Sequence, residues 1–286
     1  MADDYSSIQG GKHSDGNGPW IRSSGGDSDQ GEDFLQAIEL DSLFSLTIQE
    51  IQKQLQTNSD RNQFLYNAAL QVMNAKGAPI RGVLTLLCHQ AIGGDIGYSL
   101  PIAAAIEFMN AANLIHNNMI GNTQKCINQN RRVYGDKITL LAGDLLLALA
   151  IRIIGELGEP ELLQILGIGA IRTCEGEALK ILSLNSRAQS ESEDSPGDYS
   201  KPTSLLYESA LIGAKLAGAT DAQAKPLIQY VKRLNLAVQL SNQISLDNHN
   251  ELEIHIANAK AAIVKGEFTK PELLMWFADY IIDGRR

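Results

Sequence analysis

LAGDLLLALAIRII, residues 141–154, holds one acid, Asp144, and one base, Arg152. The rest is apolar on nearly all sides of a helix, so this segment belongs in the middle of a helical bundle. The same periodicity runs outward in both directions. From residue 34 onward, period-two alternation and β-branched runs are scarce. The spacing predicts helices over 34–57, 59–75, 79–92, 100–120, 134–157, 159–183, 200–217, 220–246, 250–265 and 270–283. Ser59 can cap the second of these and Gly77 can end it. Pro101, Pro160 and Pro271 stand where first helical turns begin. The fold class expected is all-α.

The flanking composition sets the domain limits. Residues 1–33 hold Asp3, Asp4, Asp15, Asp27, Asp29, Glu32 and Asp33 against Lys12 and Arg22, a net of −5 in a chain whose total is −9. With so little apolar surface, this segment reads as a disordered acidic tail, or as a docking arm that orders on a partner. Residues 34–286 form the helical domain. Within it, 184–199 (LNSRAQSESEDSPGDY) reads as a mobile acidic loop, with a partner-binding segment as the alternative. The acidic balance excludes a general nucleic-acid binder, which needs a basic surface to neutralise phosphates. Cys88, Cys126 and Cys174 are far apart and form no CxxC pair, which fits a reducing, cytoplasmic compartment. No uninterrupted apolar run of membrane-span length stands out.

Two polar stripes interrupt the apolar pattern. Asn110, Asn113 and Asn117 share one face of the helix at 100–120, and Asn235, Gln239 and Asn242 repeat the device on the helix at 220–246. Buried amides require partners. The stripes are therefore either a satisfied hydrogen-bond network or the walls of a ligand cavity between bundle helices.

The order of the segments resembles the trans-isoprenyl diphosphate synthases, also called polyprenyl synthetases. GAPIRG (77–82) stands where that family has GKRIRP, and AIEFMNAANLIHNNMIGN (105–122) where it has a helix ending LIHDDxxD. LAGDLLLALA (141–150) is similar to LAGDxLLxLA, and EGEALK (175–180) to EGExLxL. KPTSLLYESALIGAKLAGA (201–219) resembles KTxxLFxAxxxLGALLAGA. LNLAVQLSNQISLD (234–247) lies over GLAFQxxDDxLD, and KGEFTKPELL (265–274) over GKxTLPxLL. The resemblance implies an isoprenoid-synthase-type helical bundle around a central cavity, usually a homodimer, and here shortened at the C-terminal end.

It also implies a chemistry. Family members join isopentenyl diphosphate to an allylic diphosphate, with magnesium held by two aspartate-rich motifs. Magnesium prefers carboxylate oxygens together with substrate phosphates. Here the first motif falls on Asn117, Asn118 and Gly121, and the second on Asn242, Gln243 and Leu246, with Asp247 one residue beyond. No carboxylate remains in either. The phosphate-binding positions are depleted too: Ala78 and Pro79 replace Lys and Arg, Gln90 stands at the position of a His, and Glu267 replaces a Lys. Arg81, Asp144 and Lys201 are retained, while Lys125, Arg131 and Arg132 lie off register. Losing both signs leaves a near-neutral polar interior that is cheaper to bury than an unbalanced one.

The expectation is a pseudoenzyme with no catalytic residues and no metal of its own, magnesium entering only if residual prenyl transfer survives. It acts through a protein partner, as the accessory subunit of an active prenyl diphosphate synthase or as a structural or linker component of a larger assembly, in a homodimer or heterodimer. The alternative is residual prenyl transfer, or binding of an isoprenoid in the cavity.

Overall fold

The computed structural model describes residues 29–59, 62–119, 125–189, 205–241 and 249–283. Among these the chain is helical throughout and forms no strand. The first helix, α1 (Asp29–Thr57), begins five residues earlier than the periodicity indicated, so residues 29–33 are helix where a tail was expected. A sequence with acids in its opening turn suits a helix start, because the dipole there favours negative charge. Residues 1–28 lie outside the described residues.

Helices α2 (Gln63–Ala75), α3 (Ile80–Ala91) and α4 (Ile96–Met119) follow. Asn62, not Ser59, caps α2, its side chain accepting the Leu65 N–H at 3.2 Å. Gly77 ends that helix as expected, at φ +93°, a conformation other side chains rarely adopt. Pro101 lies inside α4, not at its start. The Asp95 carboxylate accepts the Gly97 N–H at 3.0 Å and starts the helix a turn and a half earlier.

The short helix α5 (Lys125–Tyr134) has no counterpart in the sequence pattern, because Ile127 is its one buried apolar side chain. A buried amide anchors it. Asn130 donates to the Ala68 carbonyl at 2.8 Å and accepts from the Thr139 hydroxyl at 2.8 Å. After Gly135 come α6 (Asp136–Glu156) and α7 (Pro160–Gln189). Helix α7 runs through residues 184–189, so the first six residues of the expected loop are helical. Leu184, Arg187, Ala188 and Gln189 are good helix formers that carry the previous turn onward. Residues 190–199 lie outside the described residues. The last elements are α8 (Leu206–Leu216), α9 (Asp221–Ser241), α10 (His249–Val264) and α11 (Pro271–Asp283).

Two apolar clusters fill the bundle. One joins α1, α3, α8, α9, α10 and α11 around Leu84, Tyr230, Leu234 and Phe277. The other joins α2, α4 and α6 around Ile102, Phe108, Ile115 and Leu146. Helix α4 and α6 form the most extensively packed pair, and Gly143 brings them close: a methyl group there would meet the His116 ring at 2.8 Å. Helix α3 packs on α4 and on α8, and α8 packs on α9.

Helix α6 departs from expectation in one respect. It is long and apolar enough to cross a membrane by length and composition, and only 44% of its apolar window is buried. Ala142, Leu146, Leu149 and Ile153 pack inward, whereas Leu140, Leu141 and Ile151 face outward. It lies at the flank of the bundle, not enclosed at its middle.

Candidate functional site

The C-terminal turns of α4 carry the described part of the first motif. Asn117 is half-buried and Asn118 is buried. The Asn118 side-chain nitrogen donates to the Leu114 carbonyl, four residues earlier in the same helix, at 2.7 Å. A carboxylate has no proton to donate, so this bond exists because the residue is an amide. The polar head is thereby turned toward its own backbone. Next to it, His116 Nε2 lies 3.2 Å from Asp144 Oδ1 across the α4–α6 contact. The retained Asp144 is thus placed beside the first motif. Gly121, Lys201, Asn242, Gln243 and Leu246 lie outside the described residues.

Roughly 15 Å back along α4, at 1.5 Å per residue, is a second polar centre. Glu107 is fully buried and forms an ion pair with Lys76, whose side chain is 3% exposed. The other Glu107 oxygen accepts the Gly82 N–H at 2.8 Å. The resembled motif has proline at this position, which could not donate. A Cβ at Gly82 would also lie 2.9 Å from the Ala103 carbonyl and 3.1 Å from Glu107, so glycine permits the close approach of α3 to α4. Burial alone would raise the Glu107 carboxyl. The Lys76 ammonium, the Arg81 guanidinium and the Gly82 N–H outweigh it and hold the group below the usual carboxylate range. Lys76, beside the turn that carries Ala78 and Pro79, is therefore committed to an internal acid, on which the Arg81 charge also acts. Its signal in the sequence is the lone Glu in the run AAAIEFM (103–109).

Gln90 and Glu267 do not join these groups. Gln90, at the end of α3, donates to Glu39 at 3.1 Å, and Lys270 reaches the same oxygen at 2.9 Å. The Lys270 hydrogen bond, against some desolvation, holds the Glu39 carboxyl below its ordinary value. The Thr269 N–H donates to the Ala91 carbonyl at 2.7 Å, and Gln223 donates to the Glu267 carbonyl at 3.1 Å. These contacts tie the turn before α11 to the ends of α1, α3 and α9. That end of the bundle adjoins the start of α4, about 30 Å of helix away from Asn117. Arg131, near the first motif in sequence, forks onto Asp136 at 2.7 and 3.1 Å and braces the turn at Gly135.

Of the two amide stripes, Asn110, Asn113 and Asn117 are half-buried, Asn235 is buried and Gln239 half-buried. Among the described residues α4 and α9 do not form a packed pair, with α3 and α8 standing between them. A dication would need converging carboxylates. The described residues hold no group of three His, Cys, Asp or Glu side chains placed to bind a metal. Asn117 and Asn118 bring neutral amides where the resemblance implies carboxylates.

Comparison with known proteins agrees with this architecture. The chain is 31% identical over 208 residues to a short chain isoprenyl diphosphate synthase of Methanocaldococcus jannaschii, covering 69% of this chain and 62% of that protein. It is 26% identical over 220 residues to the octaprenyl diphosphate synthase of Escherichia coli, covering 76% of this chain and 68% of that one. The match therefore spans less than two thirds of the archaeal relative. In fold it is similar to a geranylgeranyl pyrophosphate synthetase from Geoglobus acetivorans, with a TM-score of 0.71 at 20% identity over 85% of this chain. A decaprenyl diphosphate synthase from Rhodobacter capsulatus gives a TM-score of 0.71 at 16% identity over 89% of this chain. The likeness runs over 99% of each of those solved chains. The polyprenyl synthetase family model matches residues 62–247, and the chain belongs to that family.

Proposed function

We propose that this chain is a non-catalytic polyprenyl synthetase that works through protein contact. It serves as the accessory subunit of a prenyl diphosphate synthase or as a structural or linker component of a larger assembly. The observation that carries the reading is the pair of neutral amides, Asn117 and Asn118, at the end of α4 where the resemblance implies magnesium-binding carboxylates. The pairing of Lys76 with Glu107 supports it from the phosphate side. Electrostatic stabilisation is commonly the largest contribution to catalysis, and losing both signs of charge removes it.

The uncovered flank of α6 and α7 supports the interaction half of the reading. Leu141, Ile151, Ile168, Ile171 and Leu182 are all exposed there. Several exposed apolar side chains on two neighbouring helices suit a contact surface. Such a flank suits a partner of the same fold, whose equivalent helices would meet it across a two-fold or pseudo-two-fold axis. Mixing the purified chain with active prenyl diphosphate synthases tests the proposal. Co-elution as one species, with a changed rate or product length, is the expected outcome. Robust diphosphate release from allylic substrates by this chain alone, with magnesium, would overturn it. The second reading, residual prenyl transfer or isoprenoid binding, rests on the synthase activities of the relatives and on the retained Arg81 and Asp144. The same measurement decides between the two.

A further inference from the structure

We infer that the groove between α9 and α10 binds a small multivalent phosphoryl anion at a site separate from the C-terminal end of α4. The groove has a volume of about 370 Å³. That lies within the range of small-ligand clefts, roughly 300–1,000 Å³. Lys225, Gln229 and Arg233 line it from α9, and Asn258 and Lys265 from α10 and the turn after it. Pro226, Ala261 and Ala262 complete the lining with short side chains. The walls thus present three cations and two amides, without a carboxylate, in a chain whose net charge is −9.

The charges are available to a ligand. Among the described residues, neither Lys225 nor Lys265 has an ion-pair partner, whereas Lys53, Lys76, Lys215, Lys260 and Lys270 each meet an acid. Arg233 is oriented from behind. Its Nη1 lies 3.4 Å from His255 Nδ1, and the opposite ring nitrogen of His255 faces Glu251 at 3.9 Å. One guanidinium edge is held while its other donors remain for the groove. Ammonium, guanidinium and amide N–H groups converging from two walls match the several oxygens of a phosphoryl group. The volume exceeds what one phosphate fills, which fits a diphosphate or a phosphate ester whose apolar portion lies over Pro226.

Titration of the full chain with inorganic diphosphate, in the presence of EDTA so that no divalent metal contributes, tests this site. Calorimetry and the side-chain amide signals in NMR give two readouts. Saturable binding with shifts at Gln229 and Asn258 is expected. Affinity should fall by about tenfold or more in the Lys225→Ala/Lys265→Ala double variant and in Arg233→Ala, because each removes charge-assisted contacts. A control, Lys53→Ala/Lys137→Ala, should bind as the parent does. Unchanged affinity in the groove variants, shifts at Asn117 and Asn118 instead, or a failure to saturate would each overturn the assignment. None of these outcomes depends on whether the chain catalyses prenyl transfer.

Discussion

At the scale of single residues, two buried acids make opposite statements about pH. Glu107 is held below its ordinary value by Lys76, Arg81 and Gly82 in spite of its burial. A depressed folded-state pKa contributes stability above the unfolded value and loses it as pH falls through the folded value. Lys76→Met removes the main counter-charge and leaves a buried carboxylate. The cost should be about 3–5 kcal/mol, read as a lowered denaturation midpoint near neutral pH. The double variant Lys76→Met/Glu107→Leu should recover much of that loss, since paired buried charges can be replaced by apolar groups at little cost. Glu208 behaves the other way. Burial raises its carboxyl, and Arg172 at 3.3 Å offsets this only in part. Its contribution is fully present below the unfolded pKa and is lost as pH rises through the folded one. Glu208→Gln keeps the size and an oxygen for Arg172. It should raise stability by up to about 1 kcal/mol at pH 7 and have little effect at about pH 4, where both side chains are neutral. Thermal melts at the two pH values check this, and a gain confined to acid would contradict it.

At the scale of elements, close approach depends on a few glycines. In α8, a Cβ at Gly213 would lie 2.4 Å from the Thr85 carbonyl of α3 and 3.0 Å from Cys88. Backbone cannot swing aside as a flexible side chain can, so Gly213→Ala should destabilise by about 1–3 kcal/mol. Gly167 of α7 has open space around it, and Gly167→Ala should instead gain about 0.5–1 kcal/mol from helix propensity. Urea midpoints of the two variants should move in opposite directions. The same elements show what the sequence could tell. Pro160 and Pro271 start helices as expected because a missing N–H is harmless in a first turn. Pro101 misled because Asp95 supplies an earlier start, a local side-chain bond that competes with the proline signal. Helix α5 was silent because its anchor is Asn130, a polar residue that no hydrophobic periodicity registers. The amides at Asn117 and Asn118 were visible as a motif position. What could not be read was that Lys76, two residues before Ala78, pairs with an acid 31 residues later. That contact is tertiary and leaves no spacing rule.

At the scale of the whole molecule, the described helices keep a packed apolar core with the Lys76–Glu107 ion pair buried inside it. The uncovered α6–α7 flank and the cationic groove are the outward-facing features left to interpret. Placing a charge in the flank by Leu141→Glu/Ile171→Glu should leave the monomer folded, because both side chains are exposed. It should abolish any association that light scattering detects in the parent, since an unpaired charge at the core of an interface costs several kcal/mol. Catalysis can be approached from the same global view. Replacing Asn117, Asn118, Gly121, Asn242, Gln243 and Leu246 by Asp would restore six carboxylates and their capacity for magnesium. It would not restore a basic side for the diphosphate. Ala78 and Pro79 carry no charge, Lys76 is paired with Glu107, and Gln90 and Glu267 lie at the opposite end of α4. The sixfold variant should therefore bind magnesium more tightly in calorimetry while diphosphate release stays at the background of the parent. A rate rising by about three orders of magnitude or more, the scale at which lost electrostatic groups are felt, would mean that the cationic side had survived in a form the present geometry does not display.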